Sequence, residues 1–331
     1  MSIVDSNKPA VTADDIRDAA RLIQGVAVRT PLLEFQPLNE RAGRRVLVKF
    51  EGAQHTGSFK FRGAYNRLAR IEGAARDAGV VAWSSGNHAQ GVAAAARMLG
   101  LKATIVMPAD APAIKIENTR ALGAEIVLYD RVRESREEIA TELARKRGAV
   151  LVPSFDDPFI IAGQGTIGLE IVEQARSQEV DFAQVFVCCG GGGLVAGTAT
   201  AIKDAAPDVE VYAVEPAEFD DTTRSLASGN RETVRPGAKS ICDALLAPSP
   251  GELTFPINKR LLAGGLTVTD DQVKETMRFA FERMKLVVEP GGAVALASVL
   301  CGVAPSGDRP AVVVISGANV DRDLYASILG L

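Results

Sequence analysis

Lys60 is the first residue whose type and surroundings could do chemistry. It lies between two aromatic residues in segment 57–62 (GSFKFR). Burial of such a lysine lowers the pKa of its amine and makes the amine a nucleophile for a carbonyl group. The alternative is an ordinary lysine at a helix start, with its stem lying along the surface. The segment alone leaves both interpretations open.

A second candidate is segment 84–88 (SSGNH), which follows an apolar run and precedes an Ala-rich one. The pattern predicts the junction between a parallel strand and its helix, where free N–H groups and the helix dipole attract anions. Hydroxyl and amide groups in the segment add donors, so a substrate carboxylate would suit it. Simple capping of the helix by Ser85 or Asn87 is the alternative.

A run of glycines forms the third candidate. Gly190, Gly191, Gly192 and Gly193 separate a predicted strand from a helix that begins at Leu194. Without Cβ atoms, successive N–H groups can curve around a phosphate. The run also fits a dinucleotide fingerprint ending at Ala196, with Glu215 about 20 residues on. An NAD-dependent amino-acid dehydrogenase therefore stays open here, although it gives Lys60 and segment 84–88 no joint role.

Two further segments carry polar groups that allow both a binding role and a purely structural role. Ser316 follows the last predicted strand, where its hydroxyl could meet a ring nitrogen or simply end the strand. Segment 215–221 (EPAEFDD) clusters carboxylates beside a free backbone carbonyl, a set that suits a hard divalent cation. A solvated acidic loop is the alternative for that segment.

The elements that must position these residues alternate along the chain. Short apolar runs, as at 80–85, 103–107, 184–189 and 311–316, are predicted strands, and helical patterns stand between them. Among the predicted helices are residues 164–178 and 271–284. This βα rhythm predicts parallel sheets covered by helices. Residues 216–265 are the least periodic part and predict a loop-rich insert.

The composition limits the classes of function. The chain has 331 residues, a formal net charge of −4 and 47% hydrophobic residues, which predicts a globular protein and gives no reason to expect nucleic-acid binding. No apolar run is long enough for a membrane span, and no signal peptide is recognisable. The four cysteines lack metal-site spacing and favour buried thiols in a reducing cytoplasm.

Taken together, the motifs resemble fold-type II pyridoxal-phosphate enzymes, in the branch of threonine/serine dehydratases and serine racemases. The resemblance covers nearly the whole chain, with the motifs in family order: SFKFRGA, SSGNHAQG, AGQGT, CGGGGL, ERMKLVVEPGGA and SGANVD. It implies a fold like that of the tryptophan synthase β subunit, with two three-layer α/β/α domains and the cofactor between them. The expected large domain comprises residues 1–78 and 151–331, and the small, substrate-carboxylate domain comprises residues 79–150.

The resemblance also implies roles for individual residues. Lys60 would carry the cofactor and move the Cα proton, and Ser85 is the second catalytic candidate. The residues implied to bind pyridoxal 5'-phosphate are Phe59, Lys60, Asn87 (at the 3'-oxygen), Gly190, Gly191, Gly192, Gly193, Leu194 and Ser316 (at the ring nitrogen). The residues implied to contact the substrate are Ser84, Ser85, Gly86, Asn87, His88 and Arg136. Those implied to bind Mg²⁺ or Mn²⁺ are Glu215, Phe219 (through its carbonyl) and Asp221.

The implied activity is β-elimination of water and ammonia from L-threonine and L-serine, giving 2-oxobutyrate or pyruvate. Two features leave alternatives open. Many threonine dehydratases have Ala where this chain has Ser85, and a Ser there resembles serine racemases. Arg136 also matches racemase-like and hydroxyaspartate-dehydratase-like members, although a surface helix arginine is the plain interpretation. Segment 155–158 (FDDP) instead resembles threonine dehydratases. A homodimer is expected, and a regulatory domain after SGANVD is not.

Overall fold

The structure is a computed structural model that describes residues 9–111 and 113–331. The strands are β1 (Leu32–Glu34), β2 (Val46–Phe50), β3 (Val80–Trp83), β4 (Ala103–Pro108), β5 (Glu125–Tyr129), β6 (Val150–Leu151), β7 (Gln184–Cys188), β8 (Glu210–Pro216), β9 (Gly264–Val268) and β10 (Ala311–Ile315). The helices are α1 (Ala13–Ile23), α2 (Gln36–Ala42), α3 (Lys60–Leu68), α4 (Gly73–Ala78), α5 (Asn87–Leu99), α6 (Ala113–Ala121), α7 (Arg136–Arg147), α8 (Pro158–Ser177), α9 (Gly193–Ala205), α10 (Asp221–Ser228), α11 (Thr254–Leu261), α12 (Asp270–Phe279), α13 (Pro290–Leu300) and α14 (Arg322–Leu329).

The strands of the described residues form two sheets. The larger has six strands in the order β1-β2-β10-β7-β8-β9, and the smaller has four in the order β5-β4-β3-β6. Every pairing is parallel except that of β1 with β2. Strands β7 and β10 are buried along their whole length, as parallel strands covered on both faces must be. The predicted α/β class with parallel sheets is therefore confirmed.

Glycines set the position of helix α3, which begins at Lys60. A Cβ on Gly163 of α8 would collide with the Cα of Gly63, so α3 and α8 approach backbone to backbone. A Cβ on Gly197 of α9 would likewise collide with the backbone of α8 at Gly165. Helix α3 thus packs closely on α8, which packs on α9 in turn. This packing fixes the backbone position of Lys60 at the start of α3.

Several elements differ from the sequence-based boundaries. Helix α8 was expected from residue 164 but begins at Pro158, because the Asp157 carboxylate caps the N–H groups of Phe159 and Ile160. The helix expected over 271–284 ends at Phe279 and continues as a π-helical turn to Met284. Segment 216–265 contains α10 and α11 on either side of the irregular stretch 229–253.

The two sheets have separate apolar cores, but the core of the smaller sheet includes residues from outside the expected small domain. The core of the smaller sheet includes Phe61 and Leu68 of α3 and Ile160 of α8, which lie outside residues 79–150. Strand β6 spans the expected boundary at 150/151. The division into a large and a small domain is retained as a proposal with those boundaries. None of the described helices is long and apolar enough to cross a membrane.

Candidate active site

A cavity of about 550 Å³ lies between the two sheets. Its walls come from residues that follow β3, β6, β7 and β10, so the carboxyl ends of parallel strands from both sheets border it. This is the usual ligand position in open α/β sheets, and the volume suits a small organic molecule. The irregular stretch 243–252 closes another side.

Lys60 projects into this cavity from the first turn of α3. Its Nζ donates to the Ser154 carbonyl at 2.7 Å and lies 5.1 Å from the Phe59 ring centroid. The residue is partly accessible because it faces the cavity, but its amine is surrounded by protein. This burial lowers the pKa of Lys60 to about 8, against the charges of Cys188 and Glu289 that would raise it. A neutral, nucleophilic amine is therefore available near neutral pH.

Segment 84–88 lies between β3 and α5, the strand-to-helix junction that its pattern predicts, and it lines the cavity. The Ser84 hydroxyl accepts from the Gly86 N–H at 3.1 Å, which folds the turn. Among the described residues, none accepts from the N–H groups of Ser85, Asn87 or His88. His88 Nε2 contacts the Val152 carbonyl at 2.9 Å, and burial followed by the Lys60 charge lowers the pKa of His88 to about 3. His88 is thus a neutral donor to the carbonyl, and the helix start is open to an anion.

The glycine run follows β7 and also borders the cavity. Side chains are excluded there: a Cβ on Gly191 would collide with the Phe155 ring, and one on Gly193 would lie 2.9 Å from the Phe155 carbonyl. Gly192 has φ 91°, which favours glycine. Within the described part of the chain, the N–H groups from Gly190 to Leu194 have no acceptor. The loop is a cradle of free donors at the start of α9, as a phosphate requires.

Ser316 follows β10 and lies on the cavity wall with Cys188. The Ser316 carbonyl accepts from the Phe59 N–H at 3.0 Å, which ties the end of β10 to the residue before Lys60. Burial raises the pKa of Cys188 to about 11, so it stays a thiol beside the hydroxyl. Ser316 and Cys188 therefore present neutral side chains on this wall.

Glu289 is a cavity residue that the resemblance places near the site without a defined role. It precedes the first residue of α13 without a side-chain capping bond, and its Oε1 accepts from Asn87 Nδ2 at 2.6 Å. Burial, and then the charge of Asp243, raises the pKa of Glu289 to about 8. Its sequence signal was present in the EPGGA motif, but 202 positions separate it from Asn87.

Lys115 and Asp243 form a second feature that sequence reasoning missed. Both border the cavity, and they form an ion pair of 2.7 Å that joins α6 to the irregular stretch. Neither residue stands in a motif, so no sequence signal identified them.

Arg136 also lines the cavity, at the first position of α7 after the Ser135 cap. The side chain is exposed, and it forms no ion pair or hydrogen bond with any residue the structure describes. Its neighbour Glu137 borders the same cavity. The guanidinium thus keeps its donors free for a ligand carboxylate.

The acidic cluster lies apart from the cavity, around the start of α10. Glu215 accepts from the N–H groups of Thr222 and Thr223 at 2.9 and 2.7 Å. Asp221 Oδ2 is buried without a partner among the described residues. Burial of the two carboxylates, and for Glu215 also the charge of Asp221, raises their pKa values to about 8 and about 7. In residues 9–111 and 113–331, no three or more His, Cys, Asp or Glu side chains are grouped so that they could hold a metal ion, and a cation here would also need carbonyl and water ligands.

The cavity fits pyridoxal phosphate group by group. The glycine cradle has the shape and free donors for a phosphate, and the buried Lys60 amine suits an aldehyde. Ser316 stands on the wall as a neutral hydroxyl. These features define an enzyme site for an aldehyde cofactor anchored by its phosphate.

Comparisons with known proteins agree with this assignment. A family model described as "Pyridoxal-phosphate dependent enzyme" matches residues 23–317. The L-threo-3-hydroxyaspartate ammonia-lyase of a Pseudomonas species is 44% identical over 315 residues, covering 95% of this chain and 97% of that protein. The L-threonine ammonia-lyase of Thermotoga maritima is 41% identical over 319 residues, covering 96% of this chain and 78% of that protein. The solved maize serine racemase superimposes with a TM-score of 0.90 at 34% identity, covering 97% and 98% of the two chains.

The chain therefore belongs to the family of fold-type II pyridoxal-phosphate-dependent enzymes, and specifically to its ammonia-lyase and serine racemase branch. The dehydrogenase interpretation of the glycine run was wrong. The family model that matches residues 23–317 is that of pyridoxal-phosphate enzymes, and the glycine run borders the same cavity as Lys60.

Proposed function

We propose that this enzyme removes water and ammonia from a β-hydroxy amino acid, and that L-threo-3-hydroxyaspartate is its preferred substrate. The observation that carries the substrate choice is the free Arg136 guanidinium in the cavity of Lys60. An arginine with no internal partner can hold a side-chain carboxylate bidentately. The 44% identity to a hydroxyaspartate ammonia-lyase supports the same choice.

L-threonine and L-serine, the substrates implied by the sequence resemblance, are the second candidates. The 41% identity to a threonine ammonia-lyase and segment 155–158 favour them. Neither substrate carries a side-chain carboxylate, so neither would use the Arg136 charge. Serine racemisation is the third candidate and depends on Ser85.

In the proposed mechanism, each cavity residue has one task. The N–H groups from Gly190 to Leu194 bind the cofactor phosphate, and those at the start of α5 bind the substrate α-carboxylate. Pyridoxal phosphate, when bound, accepts the negative charge that develops at the substrate Cα. Lys60 Nζ takes the Cα proton, because burial keeps its amine available in the neutral form. The neutral Ser316 hydroxyl limits charge transfer into the ring, which favours prompt loss of the β-hydroxyl.

The first test is a product assay on the purified holoenzyme with L-threo-3-hydroxyaspartate, L-threonine, L-serine and D-serine. Oxo-acid formation and amino-acid chirality are followed together. The proposal expects the highest kcat/KM for hydroxyaspartate. A higher kcat/KM for L-threonine or L-serine would reject the substrate choice, and turnover of none of them would reject the elimination chemistry.

Ser85→Ala should separate racemisation from elimination. Ser85 borders the cavity, and in the racemase-like interpretation its hydroxyl moves a proton on the face opposite Lys60. Elimination needs only the Lys60 proton transfer. We expect any D-serine formation from L-serine to vanish, while the elimination rate changes by less than about threefold, well below the usual loss of an acid-base group. Equal loss of both activities would contradict this division of roles.

We also propose that Glu215, Asp221 and the Phe219 carbonyl bind Mg²⁺ or Mn²⁺ outside the cavity. Oxygen ligands of this kind suit hard cations, and the partnerless Asp221 Oδ2 supports the proposal. A bound cation would offset the cost of burying two neighbouring carboxylates. It would have a structural role, because these residues do not line the cavity.

Mg²⁺ should raise the melting temperature of the protein by several degrees, because it binds only the folded state. Asp221→Asn should abolish this increase by removing one anionic ligand. Glu218→Gln is the matched control, since Glu218 is exposed in the same segment, and it should keep the full increase. An equal response of all three proteins to Mg²⁺ would place the cation elsewhere.

The expected homodimer and the expected cytoplasmic location of the protein remain predictions.

A further inference from the structure

Two asparagine side chains connect a backbone carbonyl to a buried carboxylate through continuous hydrogen bonds. Asn319 Nδ2 lies 2.7 Å from the Thr56 carbonyl and 2.7 Å from Asn87 Oδ1. Asn87 Nδ2 then lies 2.6 Å from Glu289 Oε1. These hydrogen bonds join four separate elements: the turn before Lys60, the segment after β10, the start of α5 and the start of α13. Asn87, Asn319 and Glu289 all border the cavity.

The Thr56 end of this hydrogen-bonded chain determines the orientation of both amides. A backbone carbonyl can only accept, so Asn319 must turn its NH₂ group toward Thr56. The same NH₂ group then requires an acceptor from Asn87, which must turn its Oδ1 toward Asn319. The Asn87 NH₂ group is thereby directed to the Glu289 carboxylate, which is an acceptor when ionised. The Glu289 carboxyl accepts in this arrangement through Oε1, whether it is ionised or protonated on the other oxygen, and neither amide can be reversed without losing a hydrogen bond.

The backbone around Glu289 supports this arrangement. The Glu289 N–H donates to the Gly317 carbonyl at 3.2 Å, and a Cβ on Gly317 would collide with Glu289 Oε1. The charged groups near Glu289 are Lys60, Lys115 and Asp243. The carboxylate therefore has a fixed position, and its acceptor atom is held on Asn87.

We propose that Asn319 is a positioning residue that fixes the Asn87 amide so that Asn87 offers the cavity an N–H donor. Asn87 Nδ2 has two hydrogens, and Glu289 takes only one of them. The second can serve the oxygen of a bound ligand. An N–H donor stabilises an anionic oxygen over a protonated one. The inference rests on the proposed contact between Asn87 and the 3'-oxygen of the cofactor, and it assigns to Asn319 the ionisation state of that oxygen.

The test is Asn319→Asp, which keeps the shape and removes the donors. A carboxylate beside Asn87 Oδ1 would repel it and favour the reversed Asn87 amide, which removes the donor from the cavity. The readout is a pH titration of the visible absorption of the bound cofactor, without substrate, together with the cofactor dissociation constant of the apoprotein. We expect the ionised 3'-oxygen to bind its proton at least about tenfold more tightly, as loss of one hydrogen bond to a charged group implies. We also expect weaker binding of the cofactor.

Asn66→Asp is the matched control. Asn66 is also buried and donates to a backbone carbonyl, that of Phe159 at 2.6 Å, but it does not line the cavity. It should lower the melting temperature comparably and leave the pH titration at its wild-type midpoint. A wild-type titration in Asn319→Asp, or an equal change in Asn66→Asp, would overturn the inference.

Gly317→Ala tests the same hydrogen bonds at the Glu289 end, and it replaces Asn319→Asp in the experiment if that variant does not fold. Its new methyl group would displace the Glu289 carboxylate from Asn87, so the titration midpoint should move in the same direction. An unchanged midpoint in this variant also overturns the inference. Failure of the proposed function is distinguishable, because it would appear in the wild-type protein as absent cofactor binding or absent elimination.

Discussion

Replacement of Lys60 by alanine is expected to lower the elimination rate by roughly four orders of magnitude, the upper range for one acid-base group. In the proposed mechanism the residue has two tasks that no neighbour can take over. Its buried amine would anchor the cofactor, and the same amine would take the proton from Cα. His88 cannot substitute, because burial lowers the pKa of its ring and makes it a weak base, and its Nε2 is held by the Val152 carbonyl at 2.9 Å. The measurement is kcat for oxo-acid release, with the bound cofactor quantified after gel filtration.

Lys102→Ala is the control for this experiment, since Lys102 is exposed and lies outside the cavity. It should keep wild-type activity and cofactor content. Borohydride treatment followed by peptide mass analysis should place the cofactor on the peptide containing Lys60 in the wild-type protein. Normal turnover in Lys60→Ala, or attachment of the cofactor to another lysine, would reject the mechanism.

Replacement of Arg136 by methionine is expected to change the choice of substrate more than the rate of chemistry. Loss of a hydrogen bond to a charged group costs about 1.5–3 kcal/mol, so kcat/KM for L-threo-3-hydroxyaspartate should fall roughly 10- to 100-fold. Because Arg136 is exposed, solvent screening favours the lower part of this range. The kcat/KM for L-serine should change by less than about threefold, because serine has no second carboxylate for the guanidinium.

Arg133→Met provides the matched control three residues earlier. The Arg133 side chain is 85% exposed and does not border the cavity, so its loss should leave both substrates unaffected. Parallel losses for hydroxyaspartate and L-serine in Arg136→Met would indicate a general structural defect. An unchanged ratio of kcat/KM for hydroxyaspartate and L-serine would reject the role of Arg136 and favour L-threonine and L-serine as the substrates.

The parts of the site that the sequence predicted are local in the chain. The glycine run needs only its own backbone and the following helix to offer N–H donors, so four consecutive glycines were sufficient. Segment 84–88 likewise carries its donors at a strand-to-helix junction. Lys60 was identified from its neighbours, but its lowered pKa comes from burial that the fold provides.

The start of helix α8 shows how local chemistry can be missed. Its expected start at residue 164 ignored Asp157 and Pro158, which form a sequence-local cap. The glycines within α8 look unfavourable for a helix by propensity. They are present because α3 and α9 pack directly on its backbone, and close packing of this kind outweighs propensity.

The sequence by itself determined the alternation of strands and helices and the cofactor family, and it selected the residues proposed to bind the phosphate and aldehyde groups. These properties follow from hydrophobic periodicity and from motifs whose donors are neighbours in the chain. Only the tertiary structure decided that Asn87, Glu289 and Asn319 form one hydrogen-bonded chain, since 202 and 232 positions separate Asn87 from its two partners. It also decided that Arg136 borders the Lys60 cavity. Such contacts depend on how two sheets meet at their carboxyl ends, and no local pattern encodes that distance.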